Sequence, residues 1–298
     1  MRWLVPRVID RRAPGSRISA LVRTRLIDRA LVDALAREAR QVVLLGAGYD
    51  SRACRIEDVV AARVFEVDHP TTQAVKRRRL ARMLKSAPSN VVYVAVDFLD
   101  DDFGVCLLKA GYDEAERTLF IWEGVTNYLT AATVDATLRW IVSHSAPGSW
   151  LAFTYVHRGL LDGSPRFLGS ERWVGAVEKA GEPFTFGLDP TELEGYLAEY
   201  GLRLLSDVST ADALEGGATI VADASGLPAF YRVALAEVQR TSHVTESRLS
   251  MGLGSGSGLV RGDTYVPSVV DHVAIAGLAR DITGSRSLPT TVYSNACI

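Results

Sequence analysis

The sequence predicts an α/β architecture of parallel strands joined by crossover helices, on three observations. Apolar runs of strand length alternate with segments of helical period. The first run, VVLL at 42–45, breaks at Gly46-Ala-Gly48 and is followed by the capping-type residue Asp50, which reads as strand, tight turn, helix start. Successive strands then end in acids, beginning with VFEVD at 64–68, whose Asp68 lies twenty residues after Gly48. That spacing is where a carboxylate that binds a ribose belongs.

Taken in order, strands are expected near 41–46, 62–67, 91–96, 117–122, 149–156, 202–208 and 229–236. Helix-period apolar positions run from Arg25 to Ala36, Thr71 to Lys85, Ala132 to His144 and Pro190 to Tyr200. Ser145-Ala-Pro-Gly148 makes a turn before the fifth strand, and Gly201 stops the last of these helices. Residues 157–189 mix Gly, Pro and aromatics after the fifth strand and suggest a lid over the ligand edge. The expected organisation is an N-terminal cap at 1–40, a ligand-binding domain at 41–240 and a poorly ordered tail at 241–298 that contains MGLGSGSG. Arg261-Gly-Asp263 in that tail is read as a chance tripeptide.

Composition narrows the function. The 298 residues are 48% hydrophobic and 23% charged, enough for a full core in one large domain, and carry a net charge of −2. That balance gives no drive toward nucleic acid or an anionic membrane. No apolar run reaches the ~18 residues of a membrane span, and MRWLVPRVIDRR lacks the apolar region and cleavage site of a signal peptide. Cys54, Cys106 and Cys297 are odd in number and widely spaced, so a cytoplasmic protein with no disulfide framework and no metal site is expected.

VVYVAVDF at 91–98 places Asp97 and Phe98 past the third strand, and TLFIWEGVTNYL at 118–129 places Glu123 past the fourth. With Asp68, three strands end in carboxylates on one edge. Such an edge repels a pyrophosphate but suits a cationic ligand with ribose, amino and ammonium donors, a description that S-adenosylmethionine meets. The turn also departs from GxGxxG, because Ser51 takes the third glycine position. A Tyr-x-x-x-Lys pair is missing from the middle third of the chain, which disfavours an NAD-dependent oxidoreductase.

LLGAGYDSRACRI, FEVDHPTTQAVK, VAVDF, IWEGVTNYLT and GEPFTFGLDPTELEGYLAEYGL, in that order, resemble the leucine carboxyl methyltransferase-like family of class I S-adenosylmethionine-dependent methyltransferases over roughly 15–240. The resemblance implies a Rossmann-like, seven-stranded, mostly parallel sheet with its last strand antiparallel and helices on both faces. It also implies roles. Arg23, in ALVRTRLID at 20–28, would pair with the methionine carboxylate of the cofactor. Gly46 and Gly48 would lie against its methionine backbone, and Asp68 would take the ribose hydroxyls. Asp97 would accept from the adenine amino group while the Phe98 N–H meets the ring. Glu123 would face the cofactor amine, and Tyr128 would stand near the transferred methyl as the catalytic candidate.

Other readings of these residues stay open. Asp50 and Arg52 read as a helix cap and a structural ion pair. Glu66 shares a strand face with Asp68 and competes for the ribose. Lys76-Arg77-Arg78-Arg79 reads as a solvated face, His69 as a loop residue without a role, and Tyr128 equally as a core aromatic. A carboxylate acceptor is ionised at neutral pH and needs no general base, and no His-Asp pair stands at a recognisable motif. The expected reaction is therefore O-methylation of a carboxylate or acidic hydroxyl on a small molecule; oligomeric state is not indicated. Family members usually carry further helices ahead of the segment that MRWLVPRVIDRRAPGSR resembles, so a non-catalytic S-adenosylmethionine-binding protein is the alternative.

Overall fold

The computed structural model describes residues 15–84, 86–98, 101–164, 167, 169–179, 181–215 and 228–239, and in it the seven expected strands form one sheet. They are β1 (Gln41–Leu45), β2 (Arg63–Asp68), β3 (Val91–Ala95), β4 (Thr118–Trp122), β5 (Trp150–Val156), β6 (Leu202–Ser209) and β7 (Tyr231–Val238). Their order is β3-β2-β1-β4-β5-β7-β6. All neighbours pair in parallel except β7, which runs antiparallel to both β5 and β6. A register shift between Leu204 and Ser206 adds a bulge in β6.

The strands are apolar on both faces because both faces are covered. Val43, Leu45, Phe65, Val67, Phe120 and Trp122 point into the larger core. Val42, Leu44, Val64, Leu119 and Ile121 point to the other side, where Ile27, Leu31 and Ala34 of helix α1 (Ser16–Ala36) cover them. So α1, from the segment expected as a cap, lies directly on the sheet.

The remaining helices are α2 (Arg52–Arg55), α3 (Pro70–Met83), α4 (Phe103–Lys109), α5 (Ala131–Ser143), α6 (Gly159–Asp162), α7 (Ser170–Lys179), α8 (Leu193–Ala198) and α9 (Asp212–Glu215). The periodicity missed nine residues at the start of α1, since those turns bury Ser16 and Ser19 in place of large apolar side chains. Ser19 instead donates to Thr210 Oγ1 at 3.4 Å. It also missed α4, a short helix that Asp102 caps by accepting from the Val105 N–H at 3.1 Å. Within the expected lid, α6 and α7 form beside an extended return at 182–188, and His157 bridges to Leu188. The expected tail and residues 1–14, with Arg261-Gly-Asp263, lie outside the described residues.

This topology makes the site. β1 lies between β2 and β4, so the chain order reverses there and a crevice opens at the carboxyl ends of β1 and β4. The parallel register sets Leu45 beside Val67 and Leu44 beside Ile121. The residues that follow the three strands therefore converge: the glycine turn, Asp68 and Glu123.

Candidate functional site

The turn after β1 adopts backbone that only glycine enters without strain: Gly46 has φ 68° and Gly48 has φ 46°. The N–H groups of Gly46 and Ala47 both donate to Val67 O, at 2.9 and 3.0 Å, and fold the turn over the end of β2. There the Gly48 N–H donates to Asp68 Oδ2, and the His69 N–H donates to Asp68 Oδ1 at 2.7 Å. Asp68 is 1% exposed. Burial pushes its carboxyl up, against those two N–H donors and Lys76.

Glu66 does not share this position. It is buried beside the Lys76 Nζ at 2.7 Å, and burial raises its carboxyl to about 7 despite that cation. Strand position separates the two acids: Glu66 points inward to α3, and Asp68 ends the strand. The same ion pair corrects the reading of 76–79 as a solvated face. Only Arg77 and Arg78 are exposed, while Lys76 is buried and Arg79 lies 4.7 Å over the Tyr49 ring. His69 also has a role after all. It caps α3 through Nδ1, which accepts from the Thr71 N–H at 3.2 Å, and its Nε2 lies 3.6 Å from Asp97 Oδ2.

Asp97 is the most open of the three acids, with a side chain 38% exposed. Its N–H donates to Asp101 Oδ2 at 2.9 Å, which holds the loop after β3, and Phe98 packs on the rim of the larger core.

Arg52 is the centre of charge at the crevice. Its side chain is 4% exposed and reaches Asp28 at 2.8 Å, Glu123 at 2.9 Å, and Asp50. Asp50 also accepts from the Arg52 N–H at 2.7 Å. Burial pushes the Asp50 carboxyl up, but Arg52 and Lys76 hold it below the usual carboxylate range. The structural ion pair expected of Asp50 and Arg52 is present, yet the sequence held no sign that Asp28 and Glu123 join it. Glu123 accordingly does not stand as a bare acid at the edge. Its second oxygen is 3.5 Å from the Nε of Arg23, so two guanidinium groups face it and the edge is less anionic than the strand ends alone suggest.

Arg23 itself has a buried Nε without a hydrogen-bond partner among the described residues and stacks 4.2 Å over the Tyr231 ring. The loop that carries Glu123 turns at Gly124, φ 74°, and is pinned to β5: Thr154 Oγ1 accepts from the Gly124 N–H at 2.8 Å, and the Thr126 hydroxyl donates to Thr154 O. It delivers Tyr128 to within 5.5 Å of Phe184, ring to ring. Burial, with Tyr231 and Glu182, pushes the Tyr128 phenol well above its ordinary range. Arg23, Glu123, Gly46, Gly48 and Asp68 therefore converge at the crevice, Asp97 and Phe98 flank it beside β2, and Tyr128 stands where the segment at 184–186 closes. The aromatic partners Phe184 and Tyr231 were not singled out by the sequence: Phe184 lies within the GEPFTFGLDP motif and the expected lid without a role of its own, and Tyr231 lies in the last strand.

A second depression, of about 490 Å³, lies at the opposite edge of the sheet among Arg37, Glu38, Arg117, Gly148, Trp150 and Glu237. Arg117 donates to Arg37 O and Arg203 to Glu237. Among the described residues, no group of three His, Cys, Asp or Glu side chains could hold a metal ion, and no helix is long and apolar enough to cross a membrane.

A seven-stranded sheet with one antiparallel strand at β7 and a glycine turn at the switch point defines a class I methyltransferase fold. A candidate methyltransferase of Thermobifida fusca shares it, with a TM-score of 0.59 at 17% identity over 80% of this chain and 88% of that one. A DUF574 protein of Streptomyces avermitilis gives 0.55 at 15% identity, over 78% and 88%. The profile of the leucine carboxyl methyltransferase family matches residues 7–142. Candidate S-adenosyl-L-methionine-dependent methyltransferases are 36% identical over 206 residues in Mycobacterium tuberculosis and 38% over 200 residues in Frankia alni. These alignments cover 65% and 63% of this chain, and it spans 62% and 68% of the two relatives. The chain belongs to the leucine carboxyl methyltransferase family.

Proposed function

We propose that this chain is an S-adenosylmethionine-dependent methyltransferase that O-methylates a carboxylate or acidic hydroxyl on a small molecule. The observation that carries the reading is the convergence of the Gly46–Gly48 turn, Asp68, Glu123 and Arg23 at one switch-point crevice. The residues fit the cofactor. Each Asp68 oxygen accepts one backbone N–H and keeps a second lone pair for a ribose hydroxyl. Arg23 offers a donor to a carboxylate, Glu123 an acceptor to an ammonium, and Asp97 an acceptor to an amino group, with the Phe98 N–H beside it.

Bound there, S-adenosylmethionine supplies a sulfonium methyl already activated for transfer. The chain then has to hold the acceptor oxygen in line and keep water away. Tyr128 and Phe184 wall the position in question. The two histidines described near this edge support an acceptor that needs no base. His69 and His157 each use Nδ1 to accept a backbone N–H, from Thr71 at 3.2 Å and Gly159 at 2.9 Å. A neutral imidazole so bonded carries its proton on Nε2 and has no lone pair there to take another. The acidic edge and the burial of Lys76 favour a small-molecule acceptor over nucleic acid.

Calorimetry with S-adenosylmethionine and S-adenosylhomocysteine, with NAD as control, tests the cofactor, and a screen of carboxylic acids and phenols follows the methyl. Micromolar binding with turnover of a carboxylate or phenol is expected; no binding by folded protein overturns the reading.

A further inference from the structure

His69 stands between two of the acids read as cofactor ligands and meets both. Its backbone N–H donates to Asp68 Oδ1 at 2.7 Å, and its ring Nε2 lies 3.6 Å from Asp97 Oδ2. A third attachment fixes which way the ring presents its proton. Nδ1 accepts from the Thr71 N–H at 3.2 Å as the N-cap of α3, so a neutral imidazole carries its proton on Nε2, the atom that faces Asp97. Ring and carboxylate thus meet as donor and acceptor. At Asp97 the main chain is held twice by Asp101: the Asp97 N–H donates to Asp101 Oδ2 at 2.9 Å, and the Asp97 carbonyl accepts from the Asp101 N–H at 2.7 Å. Those two bonds place the backbone, whereas the direction of the carboxylate follows from what its oxygens meet. An ion pair with side chains 24% and 38% exposed adds little to stability, so what the imidazole supplies is direction. A carboxylate has about four lone-pair sites, and one N–H on Oδ2 leaves it able to accept a further donor.

We infer that His69 is a positioning residue for the cofactor. Its ring turns the Asp97 carboxylate toward the adenine amino group, while its N–H holds the Asp68 carboxylate for the ribose, so one residue sets the span between the two acids. The side chain of His69 thereby contributes to the preference for a purine that carries the amino group over one that lacks it. This inference rests on the reading of Asp97 as the acceptor for that group.

The test compares two ligands by calorimetry on the full chain: S-adenosylhomocysteine and its analogue with hydrogen in place of the adenine amino group. Native protein, His69→Asn and His69→Gln are each titrated with both, and thermal melts establish that each variant is folded. Asparagine keeps an oxygen where Nδ1 stands and so keeps the cap on α3, but it stops short of Asp97. Glutamine carries an amide N–H as far as Nε2 and gives up the cap. The native protein should prefer the amino compound roughly ten- to a hundredfold, the worth of one hydrogen bond to a charged group. In His69→Asn that preference should fall by about three- to tenfold with affinity for the analogue unchanged, and in His69→Gln it should persist. A role confined to capping α3 predicts the opposite order of the two variants. Full preference in folded His69→Asn, or lost preference in folded His69→Gln, overturns the inference, and either variant decides it alone. Native protein that binds both ligands equally removes the Asp97 reading and this inference with it; native protein that binds neither removes the cofactor reading itself.

Discussion

Replacing Arg52 with Met removes a cation whose side chain is only 4% exposed and leaves three carboxylates behind. The structure says how unequal their losses are. Asp28 keeps Arg55, whose Nη1 and Nη2 lie 2.6 and 2.7 Å from its oxygens, and Glu123 keeps Arg23 at 3.5 Å. Asp50 loses its only hydrogen-bonded cation among the described residues, with its side chain 12% exposed and the field of Lys76 and the backbone N–H of residue 52 left to hold it ionised. Breaking a buried pair from one side costs roughly 3–5 kcal/mol, most of it here the stranded Asp50. The sign of the pH dependence follows. In the native protein the folded Asp50 pKa lies below its ordinary value of 3.8, so the stability it contributes is present above that pH and lost as pH falls through the folded value. Without Arg52 that contribution is absent, so the gap between native and variant should be full at pH 7 and narrow toward about pH 3. Urea unfolding across that range measures it. A loss below about 1 kcal/mol at pH 7, the scale of a surface pair, or a gap independent of pH, refutes the reasoning.

Three further outcomes are expected. Lys76→Met should push the Glu66 carboxyl above its native value of about 7. A folded pKa above the unfolded one means stability present at low pH and lost as pH rises, so the variant should match the native protein more closely at about pH 5 than at about pH 8 in thermal melts; equal gaps at both count against the pair. Asp68→Ala should weaken S-adenosylmethionine binding roughly ten- to a hundredfold, the worth of one or two hydrogen bonds to a charged group, and calorimetry would show otherwise if affinity held. In α4, a Cβ on Gly104 would come within 2.0 Å of Trp140 Nε1, so Gly104→Ala should lower stability by about 1–3 kcal/mol, even though alanine is the better helix former. A raised melting temperature would mean that Trp140 moves aside freely.

Legibility in the sequence tracks the range over which each feature is decided. The seven strands, the parallel connections and the glycine turn follow from two-residue and helical periods and from the conformations open to Gly46 and Gly48, all set within about ten residues of chain. Boundaries failed where a helix buries serines, as at Ser16 and Ser19, or is only two turns long, as at Phe103–Lys109. The acids at the strand ends were visible too, because an apolar run that stops at Asp or Glu marks the sheet edge by itself.

What the sequence alone determined, then, is which residues stand at the carboxyl edge of β1, β2, β3 and β4. What only the tertiary structure decided is how their charges are matched. Arg52 meets Asp28 from 24 residues away and Glu123 from 71, Asn127 meets Tyr231 from 104, and Glu66 finds its cation on the helix that crosses behind it. Those partners are set by the order of strands in the sheet and by burial, which makes an unmatched charge costly but leaves no local mark in the chain.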